Sequence, residues 1–296
     1  MVSTTVPDLR PKRGARTLRN NVASGAFVLS FVLVCVPLVF LIITVVAKGA
    51  GIMSWSFLTK NIPSARRSGP GMGPAVVGTL LMTGMASLMA IPLGVMGAIY
   101  LHEYGKTGRL ASVLRFFANV MTGVPSIVMG LFIFTIWVLP RKGQGFSGFA
   151  GSMALGCLML PVVIRSTEEM LKLVPDHLRE ASLALGSSKA RTIGTVVLPA
   201  ALPGISSGVL LAVARAAGET APLLFTIGIV SKPNLNLFRG SNTALSAQIF
   251  SNAALGLPGA TERAWGAALT LVILAFLVTF IARVVVARFD PLRKAT

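Results

Sequence analysis

The sequence predicts an all-α integral membrane protein with six transmembrane helices, from its composition, its apolar runs and the placement of its charges. Of the 296 residues, 54% are hydrophobic and 12% are charged, and the mean hydropathy is +0.78. A soluble domain carries about a quarter charged residues, so this chain is expected to lie in a membrane. A helix needs roughly 20 mainly apolar residues to cross the hydrocarbon layer. Six runs reach that length, at 24–47, 73–101, 114–139, 148–170, 200–230 and 264–286.

The charge balance is strongly basic, with 27 Lys and Arg against 9 acidic residues and a net charge of +18. Such a balance can indicate nucleic-acid binding. Here the basic residues lie in short clusters between apolar runs, so they form no continuous basic face and predict no nucleic-acid partner. Two cysteines and two histidines are too few for a disulfide framework or a metal site. No cofactor, metal ligand or catalytic residue is therefore predicted.

The basic residues also predict the orientation, because cytoplasmic loops hold the excess of Lys and Arg. That excess falls in the N-terminal tail, in the loops after the second and fourth runs, and at the C-terminal end. Both termini are therefore predicted to be cytoplasmic, as an even number of spans requires. We expect a basic, disordered tail at 1–23, a six-helix domain at 24–290 and a C-terminal tail at 291–296. The external segments 48–72 and 231–263 are expected to be loops with short helices.

The connection after the fourth run, residues 174–202, is the most helix-prone polar segment of the chain. Pro175 suits a first helical turn, and Asp176 lies near the positive end of that helix. Gly186 tolerates a left-handed backbone and is expected to end it, and a second, basic helix through Lys189 follows. The pattern predicts a helix, a bend and a helix on the cytoplasmic face, within a loop at 171–199. The alternative is an ordinary re-entry loop with helical propensity.

Two ionisable residues, Arg215 and Glu219, lie deep in the fifth run. Each costs about 2.5–3.5 kcal/mol at the centre of a membrane helix, so we expect them to have a role. Four positions apart, they share a helical face and can pair, and Thr220 adds a hydroxyl beside them. Gly218 and Pro222 loosen the helix and can expose polar backbone to a water-filled passage.

These residues allow two interpretations. In the first, Arg215 faces an anion pathway, because its planar fork of donors fits a tetrahedral oxyanion, and Glu219 orients it or limits how tightly the ion is held. In the second, the two side chains form an ion pair within the helix or a bridge to a neighbouring helix, and they serve assembly only. Pro125 with Ser126 is a further candidate for the pathway, since a broken turn frees backbone groups. Glu103 is expected at the membrane interface.

The cytoplasmic loop resembles the EAA loop of ABC importer permeases, whose consensus is E-A-A-x3-G-x9-I-x-L-P. The matching residues are Glu180-Ala181-Ser182, Gly186 and Val196-x-Leu198-Pro199. This chain departs from the consensus by Ser for the second Ala and Val for Ile. In that family the loop is a coupling helix that rests in a groove of an ATP-hydrolysing subunit. The resemblance implies that this contact is made by Glu180, Ala181, Ser182 and Gly186.

Four further segments resemble the PstA-type permeases of phosphate ABC importers, and the likeness runs from about residue 54 to the C-terminus. Residues 214–223 resemble Ala-Arg-Ala-x-Gly-Glu-Thr-Ala-Pro-Leu, 123–131 resemble VPSIVxGL, 160–169 resemble LPVIIRSTEE, and 92–104 resemble PLGVxAAIYLxEY. The resemblance implies a type I ABC importer permease of MetI-like architecture. It also implies a place for Arg215 and Glu219 in phosphate passage, to which we add Thr220 and Ser126.

The function implied by the resemblance is translocation of inorganic phosphate into the cytoplasm across the bacterial plasma (inner) membrane. The chain has no G-x4-G-K-[ST] phosphate-binding sequence, so it is not expected to be an enzyme. The implied partners are a homologous second permease (PstC-like), two ATPase subunits (PstB-like), an external phosphate-binding protein (PstS-like), inorganic phosphate and membrane lipid. The alternatives are a permease for molybdate or sulfate, a stand-alone secondary transporter or channel, and a membrane anchor without a transport role.

Overall fold

The computed structural model describes residues 15–105, 108–142 and 144–289. All regular structure in these residues is helical, with 3-10 and π turns at some helix ends, which confirms the predicted all-α fold. The chain divides after Ala47 into two compact units. The predicted C-terminal tail at 291–296 lies outside the described residues.

The described residues of the first unit form the helix α1 (Ala15–Gly49), which continues two residues past Ala47 and whose apolar side chains are largely exposed. A helix of this length is long enough to cross a membrane. α1 begins inside the range 1–23 that the sequence predicts as a disordered tail, and the rest of that tail, 1–14, lies outside the described residues. Ala15, Arg16, Leu18 and Arg19 all have high helix propensity, so the helix extends beyond the apolar run.

The second unit contains short and long helices in alternation with loops. They are α2 (Trp55–Thr59), α3 (Gly73–Ile99), α4 (Arg109–Gly123), α5 (Ser126–Ile133), α6 (Gly148–Leu173), α7 (Asp176–Ala184), α8 (Lys189–Thr192), α9 (Leu198–Gly218), α10 (Ala221–Thr226), α11 (Leu245–Ala254) and α12 (Pro258–Phe289). π turns extend α3 through Tyr100–Tyr104 and α5 through Phe134–Val138, and a third, Ile193–Val197, joins α8 to α9. The short helices α2 and α11 lie in the segments 48–72 and 231–263, where short helices between loops are predicted.

Five helical segments of the described residues are long and apolar enough to cross a membrane: Thr17–Ile52, Gly73–Tyr104, Gly148–Leu173, Lys189–Gly218 and Pro258–Val284. A sixth crossing requires the pair Arg109–Gly123 and Ser126–Arg141, whose axes differ by 109°. The predicted third span at 114–139 is therefore corrected to a broken one. Val124 has an extended backbone, because the following Pro125 disfavours the helical conformation for the residue before it.

α6 holds the second unit together, since α3, α4, α5, α9 and α10 all pack against it. Met82 and Ala86 of α3 form a buried core with Leu155 and Met159 of α6. Small residues such as Ala86 let two membrane helices approach closely, where van der Waals packing replaces the hydrophobic effect as the main attraction. α6 thereby sets the position of α9 relative to α3.

The loops distinguish two sides of this unit. α6 ends at Leu173 where α7 and α8 follow, and we call this the elbow side. At the start of α6, Ser147 N donates to Thr226 O (3.1 Å) and Phe149 N donates to Leu237 O (2.6 Å). The loops 144–147 and 227–244 therefore meet on the opposite side, which we call the far side. Because α6 runs from the far side to the elbow side, positions along it give a scale of depth.

Candidate functional site

The fifth predicted run, 200–230, is two helices and not one. α9 ends at Gly218, Glu219 has an extended backbone (φ −68°, ψ 131°), and α10 begins at Ala221. Pro222 lies in the first turn of α10. Backbone N–H groups there have no helical acceptor, so a proline removes no helical hydrogen bond. The run is therefore corrected to a broken helix, with its break at Glu219 and Thr220.

This break is level with the middle of α6. Arg215 and Glu219 line a small pocket together with Leu158 and Met159 of α6, which lie near the centre of Gly148–Leu173. From the break, α10 continues to the far side, where its last residue accepts the hydrogen bond from Ser147. Arg215 is thus at mid-depth although it is in the last turn of α9, where the helix dipole favours a cation.

Arg215 and Glu219 form a loose ion pair. Arg215 Nε lies 3.4 Å from Glu219 Oε1, and the two side chains are 66% and 17% exposed. Within the described part of the chain, this is the single hydrogen bond of the Arg215 guanidinium, so its other N–H groups are accessible. In a membrane, contact of an exposed cation with lipid at this depth is costly.

The pocket at this pair has a volume of ≈ 10 Å³. That is room for about one water molecule. The pocket is too small to hold an oxyanion such as phosphate, and most of the Arg215 side chain is exposed outside it.

Ser126 begins α5, and it is half-buried. A Cβ atom on Gly130 would lie 2.5 Å from Pro222 Cα, so α5 and α10 are in close contact there. Both helices run from their breaks toward the far side, which puts Ser126, about one turn before Gly130, near the depth of Glu219. The two helix breaks are therefore level with each other. Among the described residues, no hydrogen bond joins Ser126 to Arg215, Glu219 or Thr220.

Ser246 of α11, which is not among the residues predicted from sequence, supports the break. Its hydroxyl donates to the backbone oxygen of Glu219 at 2.8 Å, and its side chain is buried. The carbonyl of a residue just past a helix end has no helical partner, so Ser246 supplies one. Thr220 is the N-cap residue of α10, but its side chain makes no capping hydrogen bond. One serine in a short helix carries no sequence signal for this contact.

α7 and α8 form the predicted helix, bend and helix, which we call the elbow. Gly186 has φ +81°, a left-handed conformation that glycine adopts without steric cost. Ser187 N donates to Ser182 O (3.2 Å) and closes the end of α7. Ser188 Oγ accepts from Arg191 N (3.4 Å) at the start of α8. The shape expected from the sequence spacing is confirmed.

The surface of α7 and of the bend is exposed and partly apolar. Glu180, Ala181, Leu183 and Leu185 are all exposed, and Glu180 and Leu183 border a cavity between α7 and α8. Exposed leucines next to a carboxylate suit contact with another protein. Ser182 lies inside the elbow instead, with its Oγ 2.9 Å from Thr192 Oγ1, and Gly186 is exposed at the bend.

Known proteins resemble this chain over most of its length. Residues 90–294 match the family described as binding-protein-dependent transport system inner membrane component. The chain is 43% identical over 289 residues to phosphate transport system permease protein PstA 1 of Mycobacterium tuberculosis (strain CDC 1551 / Oshkosh), covering 96% of this chain and 93% of that protein. It is 39% identical over 286 residues to phosphate transport system permease protein PstA of Yersinia pestis, covering 97% and 96%.

Among solved structures, a chain of the inward-facing MetNI methionine ABC transporter is similar, with a TM-score of 0.60 and 20% sequence identity. The match covers 72% of this chain and 94% of that chain. At this identity the likeness concerns the fold, and it confirms the MetI-like architecture expected from the sequence. The matched region exceeds half of the chain and the relatives extend over nearly all of it. This chain therefore belongs to the family of inner membrane components of binding-protein-dependent transport systems.

Proposed function

We propose that this chain is a permease subunit of an ATP-driven ABC importer that moves inorganic phosphate into the cytoplasm. Its relatives in Mycobacterium tuberculosis and Yersinia pestis are named phosphate transport system permease proteins. The observation that carries the proposal is Arg215, an exposed guanidinium at mid-depth, beside a helix break and only loosely paired. Its remaining N–H groups can donate two parallel hydrogen bonds to a tetrahedral oxyanion.

In this proposal phosphate passes between this chain and a homologous second permease (PstC-like). The pocket beside Arg215 is too small for the ion, so the second permease supplies the other wall. Glu219 shares the guanidinium with the ion and repels its charge, which keeps the ion from being held too tightly. Thr220 and Ser126 offer hydroxyl groups at the same depth.

The elbow has the second role in the proposal. Two ATPase subunits (PstB-like) bind on the elbow side, where Glu180 and Ala181 contact one of them, and Ser182 and Gly186 maintain the shape of the bend. An external phosphate-binding protein (PstS-like) delivers phosphate on the far side. The elbow side and both termini are then cytoplasmic, and the chain is a multi-pass protein of the bacterial plasma membrane surrounded by lipid. ATP hydrolysis belongs to the ATPase subunits, and this chain is no enzyme.

Phosphate uptake by the whole complex in proteoliposomes tests the proposal. Arg215→Lys keeps the charge but loses the fork of donors, and we expect about tenfold slower uptake because one charge-assisted hydrogen bond is lost. Unchanged uptake would contradict recognition by the fork. Unlabelled molybdate and sulfate serve as competitors, and stronger competition by either ion than by phosphate would assign the substrate to that ion.

A further inference from the structure

A buried ion pair joins the elbow to the end of the second crossing helix. Arg179 of α7 and Glu103 of the π turn after α3 are 76 positions apart in sequence, and Glu103 Oε1 accepts from Arg179 Nη2 (3.0 Å) and Nε (3.2 Å). Their side chains are 12% and 6% exposed. Glu103, which the sequence predicts at the membrane interface, is thus enclosed by protein at this end of α3.

The same guanidinium also binds the end of α6. Arg179 Nη2 donates to Leu171 O (2.9 Å), and Nη1 donates to Val174 O (2.6 Å) and to Asp176 Oδ1 (3.1 Å). The first two acceptors belong to the last turn of α6 and the residue after it, where carbonyl groups lack helical partners. One side chain thus connects α3, α6 and α7.

The second arm of the elbow is attached to the same turn. Lys189 Nζ, at the start of α8, donates to the backbone oxygen of Glu103 (2.5 Å) and lies 4.5 Å from the centre of the Tyr104 ring. Glu103 therefore accepts from α7 through its carboxylate and from α8 through its carbonyl. We call Glu103, Arg179 and Lys189 the clamp.

We propose that the clamp residues are positioning residues that make the elbow and the end of α3 move as one body. This inference rests on the proposed function, in which an ATPase subunit displaces the elbow. A solvated ion pair contributes little and separates easily, whereas a desolvated pair with several charge-assisted hydrogen bonds holds one geometry. α3 packs directly on α6 and α9, and the last turn of α9 carries Arg215. A displacement of α7 is thereby passed to the helices that line the proposed pathway.

The alternative is a clamp that only stabilises the fold, and the yield of assembled complex alone would not separate the two. The experiment therefore measures the ratio of phosphate taken up to ATP hydrolysed, in proteoliposomes that hold the whole complex and receive phosphate-loaded binding protein. Glu103→Gln keeps the size and one acceptor oxygen but removes the charge. Arg179→Lys keeps the charge but cannot reach all the groups that the guanidinium contacts. For each variant we expect the ratio to fall about tenfold, in the range of couplings carried by packed and hydrogen-bonded networks, while ATP hydrolysis continues.

The matched control is Glu169→Gln, because Glu169 and Arg165 form an ion pair of 3.2 Å in which both side chains are more than half exposed. We expect its ratio to equal that of the native complex. A lower yield of complex for Glu103→Gln with an unchanged ratio would overturn the proposal and leave the clamp a stabilising contact.

Failure of the proposed function gives a different result. If the native complex takes up no phosphate, the substrate assignment is wrong, and the clamp is then tested by how far the loaded binding protein stimulates ATP hydrolysis. A stimulation that falls about tenfold in Glu103→Gln and Arg179→Lys, but not in Glu169→Gln, would support the clamp in that case. Equal stimulation in all four proteins would reject it.

Discussion

Arg215 and Arg179 are each paired with a glutamate, but the two pairs differ in sequence separation, burial and number of bonds. Arg215 meets Glu219 four positions along the chain, through one bond of 3.4 Å, and its side chain is mostly exposed. Arg179 meets Glu103 across 76 positions, is nearly buried, and also binds Asp176 and two backbone carbonyls. The charges are the same in both pairs, and the surroundings differ.

The number of acceptors around a guanidinium decides what else it can bind. Arg179 has acceptors for both of its Nη groups and for Nε within the chain, so a ligand would have to replace bonds that hold three helices together. Arg215 keeps most of its donors accessible, and an arriving anion adds bonds without breaking many. We therefore expect substitution at Arg179 to affect stability and coupling first, and substitution at Arg215 to affect transport first.

The largest expected effect on stability is that of Arg179→Ala. It leaves the Glu103 carboxylate buried without its main partner, and breaking a buried pair in this way costs about 3–5 kcal/mol. The measurement is the free energy of unfolding of the purified complex in mild detergent. Arg165→Ala removes the exposed pair with Glu169, and as the control it should cost less than about 1 kcal/mol. Equal losses for the two variants would mean that burial does not distinguish them.

Arg215→Ala is expected to have a large effect on transport and a small effect on stability. Loss of two charge-assisted hydrogen bonds to the ion, each worth about 1.5–3 kcal/mol, predicts at least about a hundredfold slower phosphate uptake. The free energy of unfolding should change by less than about 1 kcal/mol, since the side chain is exposed and its pair is weak. Uptake is measured per assembled complex, with Arg165→Ala again as the control. Less assembly with unchanged uptake per complex would return Arg215 to the assembly role that the sequence left open.

The two pairs also differ in how far sequence predicts them. The spacing of Arg215 and Glu219 is local, so their pairing follows from helical periodicity and is found in the structure. The bend of the elbow is predictable for the same reason: a glycine after a helical pattern indicates a left-handed turn, and Gly186 has that conformation. The contact between Glu103 and Arg179 depends on how α3, α6 and α7 pack, and no single sequence carries a local signal for an ion pair 76 positions apart.

The helix breaks show a similar limit. Pro125 and Pro222 indicate that two apolar runs are interrupted, but hydropathy counts each run as one span. That the two breaks are level follows only from the contact of Gly130 with Pro222, which is a property of the packed helices. Ser246 and the backbone of Glu219 are joined for the same reason.

The smallest expected effect is that of Glu219→Gln, and it sharpens the distinction between the two arginines. The amide keeps an oxygen that can accept from Arg215 but removes the charge that competes with an anion, so the ion should be held longer beside the guanidinium. Because exposed pairs are worth about 0–1 kcal/mol, we expect the maximal uptake rate to fall by no more than about fivefold. The measurement is uptake against the concentration of phosphate-loaded binding protein, with Glu169→Gln as the control.

The difference in uptake rate between Glu219→Gln and the native complex should shrink at high ionic strength if the site is open to solvent. A loss as large as that of Arg215→Ala would contradict this account, since it would make Glu219 a required holder of the arginine, as Glu103 is for Arg179.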